Sequence, residues 1–258
     1  MRTGMRIGFV ATAAMLALAA CGSSGGSTAA KTVKVAAKPT TTTEPTAIGL
    51  RVNADERSEA IADKPLTPAQ QKALDAQLKI AEQTAMKYPT VAAITKAGYI
   101  PAGGFTPGAG AHYISMRSAQ MIYGRVNALN PAEPLAYIFE GTAPTSKIVG
   151  LMFAQFTTYP PEGFAGPNDH WHRHSNLCIT FDKGAIGIPF PPDGNVTVVQ
   201  CNALHGMFLR KTFWMVHAWV VPGWKSPQGV FSHANLNLHC ADGTDHTDQT
   251  GFCVGASA

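Results

Sequence analysis

The run Gly166-Pro167-Asn168-Asp169-His170-Trp171-His172-Arg173-His174 places three histidines at alternate positions. On an extended chain, alternate side chains point to one face. Three imidazoles along one wall suggest metal chemistry, because neutral imidazole is the commonest side-chain metal ligand. Metal sites in small barrels join a His-x-His pair on one strand to ligands from others. His172 and His174 supply the pair, His217 a third ligand and His112 a fourth. His112 follows Gly110, and a glycine lets backbone approach a site closely. Three secondary candidates stand behind these four. His170 lies so near the turn at Pro167-Asn168-Asp169 that it can remain in the loop, His233 is a histidine among apolar residues, and Glu140 stands at a strand end. Glu162, in the loop before the histidines, is a further carboxylate.

The competing reading of the same residues is bland. His170, His172 and His174 can form a solvated rim with Asp169. His217, in an apolar stretch, can be a core histidine hydrogen-bonded to backbone or tyrosine. If a metal is held, histidine-only ligation suits zinc, copper, iron or nickel. The order expected is zinc, then copper, then iron, with Met215 near His217 leaning towards copper. No phosphate loop or dinucleotide fingerprint is present. Asp242, Asp245 and Asp248 lack the spacing of a calcium hand and read as a solvated loop.

The ends of the chain bear on where this chemistry takes place. Arg2 and Arg6 precede an apolar stretch of about 14 residues, 7–20, which is signal-peptide length and short for a bilayer span. Leu18-Ala19-Ala20-Cys21-Gly22 looks like a bacterial lipobox. That likeness implies a lipid on Cys21, membrane attachment, and a place on the extracytoplasmic face of a bacterial envelope. The alternative is an ordinary secretory signal with a chance cysteine at its boundary. Residues 22–66 hold Gly/Ser and Pro/Thr runs with few large apolar side chains, the composition of a tether. About 45 such residues reach roughly 35–40 Å. Without Arg2 and Arg6, the 20 basic residues of the chain fall to 18 against 16 acidic ones, a formal net charge of +2. No dense basic run appears, which argues against nucleic acid as partner.

Four cysteines follow Cys21: Cys178, Cys201, Cys240 and Cys253. An even count in an exported chain suggests two disulfides with three possible connectivities. Cys178–Cys201 with Cys240–Cys253 closes the shorter loops. The alternative is a ligand set around His239-Cys240 with Asp242, Asp245, His246 and Asp248. Oxidising surroundings favour the disulfides.

The elements that must position the histidines lie in residues 67–258, about 190 residues and one domain. Thr67-Pro68 with Gln70 is a capping box. Leu74, Leu78, Ala81 and Ala85 then recur at helical steps up to Lys87. Tyr88-Pro89 breaks this helix, and a short one runs over 90–97 to Gly98. A Gly/Pro loop is expected over 102–110. Strands are expected at 135–139, 148–156, 176–181, 196–201 and 212–221, with turns at Asp193-Gly194 and Pro222-Gly223. The last strand is apolar on both faces and is expected to be central. The fold class is α+β, mainly β: an antiparallel sandwich or cupin-like barrel behind one or two N-terminal helices.

Two resemblances add to this. Gly166 followed by His172-x-His174 is similar to the opening of the first cupin motif. Pro227-x-Gly229 with His233 and Asn237 is similar to part of the second. The likeness implies a small barrel with a divalent metal on three histidines and a glutamate, but Cys178 and Ile179 stand where that glutamate belongs. Across most of the domain, Ala97-Gly98-Tyr99, His112-Tyr113, Pro134 to Tyr137, Trp171-His172-x-His174, His217-Ala218-Trp219 and Pro227-x-Gly229-x-Phe231-x-x-x-Asn235 resemble a family of exported bacterial proteins with no assigned activity. That likeness implies one shared architecture for His112, Tyr113, His172, His174, His217 and Trp219.

Three functions remain at this point: a metal-binding envelope lipoprotein, a metal-dependent cupin-like enzyme (oxygenase, isomerase or hydrolase), and a metal-free ligand-binding or interaction module whose aromatics stack on a sugar or lipid. In the second and third, Trp171, Trp214, Trp219, Tyr113 and Phe231 would line an apolar pocket. As ordinary core they would not. The sequence gives no oligomeric state.

Overall fold

The computed structural model describes residues 63–118, 129–182, 185–190 and 196–254. Residues 1–62, where a signal segment, a lipidated Cys21 and a tether are expected, lie outside the described residues, as does the turn expected at Asp193-Gly194. Among the described residues, no helix is long and apolar enough to cross a membrane.

Helix α1, Pro68–Ala85, begins at the capping box expected: Thr67 accepts from the Gln70 backbone, and the Gln70 side chain accepts from the Thr67 backbone. Its buried side is Leu74, Ala81, Thr84 and Ala85, which packs on strand β4 (Ile148–Gln155). Gln77 on α1 accepts from the Ala165 backbone at 2.7 Å, so the helix holds the segment that leads into the histidine run. Helix α2, Val91–Lys96, is capped by Thr90 and buries Val91 and Ile94.

The rest is a curled eight-stranded sheet, mainly antiparallel. The remaining strands are β1 (Ile100–Thr106), β2 (Gly110–Ile114), β3 (Ala136–Phe139), β5 (Ser175–Asp182), β6 (Ala185–Gly187), β7 (Met207–Lys211) and β8 (Trp214–Ala218). The order is β7-β5-β6-β1-β2-β3-β4-β8. The contact between β1 and β6 is parallel, which makes the sheet mixed. β3, β4 and β8 are buried throughout.

Three local expectations change. The glycines of 102–110 do not make one loop: Ile100–Thr106 is strand, and the turn is confined to the residues before Gly110. Gly103 and Gly104 leave room there for the Phe252 ring, which a Cβ at either position would meet within 3.0 Å. Residues 196–201 are not a strand. Thr197 and Gln200 form a second capping box that starts helix α3, Val198–Ala203, and local hydrogen bonding outweighs the β preference of the Val pair. β8 is the last strand of the sheet, not a central one. Its far edge is covered because His172 and Met215 exchange both backbone hydrogen bonds, at 2.9 and 2.8 Å. That bridge draws the start of β5 against β8 and curls the sheet.

Two disulfides are present, Cys178–Cys201 and Cys240–Cys253, with Cα separations of 5.5 and 5.6 Å. These are the pairs that close the shorter loops. The first ties β5 to α3, and the second closes the C-terminal loop.

Candidate metal centre

Five histidines meet where the curled sheet turns back on itself. His112 stands on β2, His217 on β8, His172 and His174 on the segment entering β5, and His233 on the loop after β8. Ring centroids lie 4.2 Å apart for His172 and His233, 5.3 Å for His172 and His217, and 5.5 Å for His172 and His174. His217 lies 5.6 Å from His112 and stacks on His233 at 5.9 Å. The tightest subset is His172, His174 and His233, which offer one ligand nitrogen each within 4.8 Å of one another.

Backbone hydrogen bonds hold the segments that carry His172, His174 and His233, and one holds the ring of His217. His172 is held by its bridge to Met215. His174 is held at both ends by Thr212, whose backbone N–H donates to its carbonyl and whose hydroxyl accepts its N–H, each at 2.9 Å. The His217 Nδ1 lies 2.7 Å from the His233 carbonyl. A carbonyl only accepts, so Nδ1 carries the proton and Nε2 keeps its lone pair, the tautomer a metal ligand needs. The same bond ties the His233 segment to β8. Trp219 Nε1 donates to the Ser232 carbonyl at 2.8 Å, and the fully buried Asn235 donates from Nδ2 to the Trp224 carbonyl at 2.8 Å.

Electrostatics keep the rings neutral. Burial is the first cause in every case. It lowers His112 to about 4 and His174 to about 3, and takes His172 and His217 well below the ordinary imidazole value. Mutual repulsion among the rings adds to the shift for His172, His174 and His217. Neutral imidazoles converging at a place where His172 and His217 are buried and the other three half-buried present lone pairs and no charge to balance. The sharpest sign is on His172, which is 1 % exposed. Its Nδ1 faces the His170 carbonyl at 3.4 Å, and its buried Nε2 has no hydrogen-bond partner among the described residues. A buried polar atom left unpaired is costly, and a metal ion would satisfy it. Three imidazoles on zinc at about 2.0–2.1 Å bring their nitrogens to about 3.3 Å from one another. The three nitrogens lie within 4.8 Å of one another, so binding would draw them together by up to about 1.5 Å.

Four of the five rings, His112, His174, His217 and His233, line a cavity of about 740 Å³. Its other walls are mainly apolar and come from β1, β2 and the turn between them, from β5, β6, β7 and β8, and from the C-terminal loop around Phe252. Trp171, Trp214, Trp219, Tyr113 and Phe231 are buried core and do not line it.

The secondary candidates separate. His233 joins the tightest group. His170 does not share the site: its Nε2 pairs with Asp63 at 3.0 Å, and next to it Lys64 and Asn168 exchange two hydrogen bonds at 2.9 Å. Residues 63 and 64, read from composition as tether, therefore lie against the histidine loop. Glu140 accepts from the Lys147 backbone at 3.1 Å in the β3–β4 hairpin. His233 is the residue that spacing undervalued. Its one sequence signal was the cupin-like Pro227-x-Gly229 before it. Compared with protein-family models, with curated proteins and with solved structures, the chain matches none.

Proposed function

We propose that this chain is a metal-binding lipoprotein of the bacterial envelope, anchored through a lipid on Cys21 and carrying a divalent ion on a histidine centre. The observation that carries the metal reading is the convergence of His172, His174 and His233 within 4.8 Å, with the buried Nε2 of His172 unpaired among the described residues. His217 and His112 are the adjoining donors. Zinc is the first choice because the donor set is imidazole alone. Copper follows, with Met215 and His217 lining the same cavity, and iron is third. The two disulfides support an oxidising compartment. The lipobox-like Leu18 to Gly22 supports the anchor.

The test is elemental analysis of the full chain purified without chelator, beside the pair His172→Ala/His174→Ala. The expected result is one metal per chain, absent from the variant. No metal after incubation with zinc, copper and iron(II) would reject the reading. The lipid is tested separately: mass spectrometry should find a diacylglycerol adduct on Cys21, lost in Cys21→Ala.

A second reading, a metal-dependent enzyme, is favoured by one observation. Four of the histidines face a cavity large enough for a small molecule. Catalytic centres keep a position open, and structural ones are closed. A cobalt(II)-loaded chain tests this. Azide shifts its visible spectrum if a position is open and leaves it unchanged if the centre is closed.

A further inference from the structure

The cavity beside the histidines has a direction. Its wall along β5 and β7 is set by a register of Ile179 opposite Met207, Leu177 opposite Leu209, and Ser175 opposite Lys211. Met207, Leu209 and Lys211 all line the cavity, as the two-residue period of a strand requires. Leu177, Ile179 and Phe181 do the same from β5. The alternate residues Cys178 and Phe208 turn away into a separate small core. The wall therefore grades from large apolar groups at one end to a lysine at the other, and that lysine end adjoins His174, whose neighbour Thr212 follows Lys211. Phe181 and Met207 at the apolar end, and Lys211 at the other, are exposed as well as lining the cavity.

Charged side chains are few in this cavity. Among the described residues that line it, Lys211 is the only lysine or arginine and Asp245 the only carboxylate. Asp245 already bonds His239 at 2.9 Å. Lys211 has no ion pair or side-chain hydrogen bond among the described residues. The four residue steps from Met207 to Lys211 span ~13 Å at about 3.3 Å each. An extended alkyl chain of about ten carbons covers that distance, since bonds of about 1.5 Å advance some 1.25 Å per carbon.

We infer that the cavity binds an anionic amphiphile, with an apolar body along β5 and β7 and a carboxylate-type head at Lys211 beside the histidines. The inference goes beyond the metal reading and does not depend on it, because wall and lysine are present whatever the histidines hold. A cation on the histidines would add to the attraction for the head.

The test is calorimetric titration of the full chain carrying Cys21→Ala, in detergent-free buffer, with straight-chain alkanoates from butanoate to tetradecanoate and with decanol and decylamine as charge controls. It is run on chelator-treated chain and repeated with zinc. In the chelator-treated chain, affinity should rise by up to about fourfold per methylene and level off near ten carbons. Decanoate should bind at least tenfold tighter than decylamine. Lys211→Gln should weaken decanoate about tenfold while leaving decanol unchanged. Equal affinity for butanoate and decanoate, or decylamine binding as tightly as decanoate, would overturn the inference in the wild-type chain, without any variant needing to fold. Absence of metal in the elemental analysis would sink the metal reading and leave this result standing. Metal without chain-length dependence would do the reverse.

Discussion

Two regions of this molecule carry metal-ligand residue types in quantity, and they differ in what surrounds them. One is the five-histidine group at the turn of the sheet. The other is the loop closed by Cys240–Cys253, with His239, Asp242, Asp245, His246 and Asp248. By composition the loop is the richer, since it offers carboxylates as well as imidazoles. Its three carboxylates are already engaged. Asp242 accepts from the backbone and hydroxyl of Thr244, Asp248 does the same with Thr250, and Asp245 bonds the half-exposed His239. Its cysteines are joined to each other. At the sheet, His172 and His217 are buried, His112, His174 and His233 are half-buried, and His172 Nε2 has no hydrogen-bond partner among the described residues. Ligand types in a sequence are common. Ligand atoms that are desolvated, convergent and still unpaired are what make a metal site.

The largest effect that sharpens this contrast is loss of metal. His172→Ala/His174→Ala should lower zinc affinity by more than a hundredfold in a chelator competition, while His239→Ala/Asp245→Asn should leave it within about twofold. The reverse pattern would move the site to the loop. Next in size is His217→Phe, which removes the Nδ1–H that holds the His233 carbonyl. Loss of such an orienting bond should cost about tenfold or more in metal affinity, with the fold preserved by circular dichroism.

A smaller effect concerns acid. In the metal-free chain, His112 titrates at about 4 and His174 at about 3, because burial disfavours the charged ring. The unfolded imidazole titrates near 6.5. Below about 6.5 the unfolded chain therefore binds more protons than the folded one. Stability is full above that pH and declines as pH falls towards 4. Melting temperature against pH should show this decline, and His112→Gln should flatten it. A flat curve in the wild type would show that the rings are not desolvated. The smallest expected effect is from Glu140→Gln, at the hairpin and away from the histidines, which should leave metal content unchanged.

How much of this was legible in the sequence differs by element. Both N-terminal helices were, because caps and apolar steps are local: Thr67 with Gln70, then Thr90 and Gly98. The mainly β character and the two disulfides were legible for the same reason, from turn residues and loop lengths. His172 and His174 could be read as a pair because alternation along an extended segment is also local. His233 could not be weighed properly, since its place depends on a loop that β8 pins through His217 and Trp219. His170 shares the alternation yet turns to Asp63, a residue 107 positions earlier that spacing could not connect to it. The Val pair at 198–199 reads as strand by propensity, and the capping box of Thr197 and Gln200 overrides it. β7 was missed because Met207 to Lys211 ends in charges. Of those two charges only Lys211 lines the cavity, the alternate residue Arg210 facing away from it.

The most direct measurement is X-ray absorption at the zinc edge of the zinc-loaded chain. The account predicts a shell of nitrogen at about 2.0–2.1 Å with imidazole scattering and no sulfur, unchanged in His239→Ala/Asp245→Asn and abolished in His172→Ala/His174→Ala. A sulfur or carboxylate-only shell, or an imidazole shell that survives the loss of His172 and His174, would contradict it.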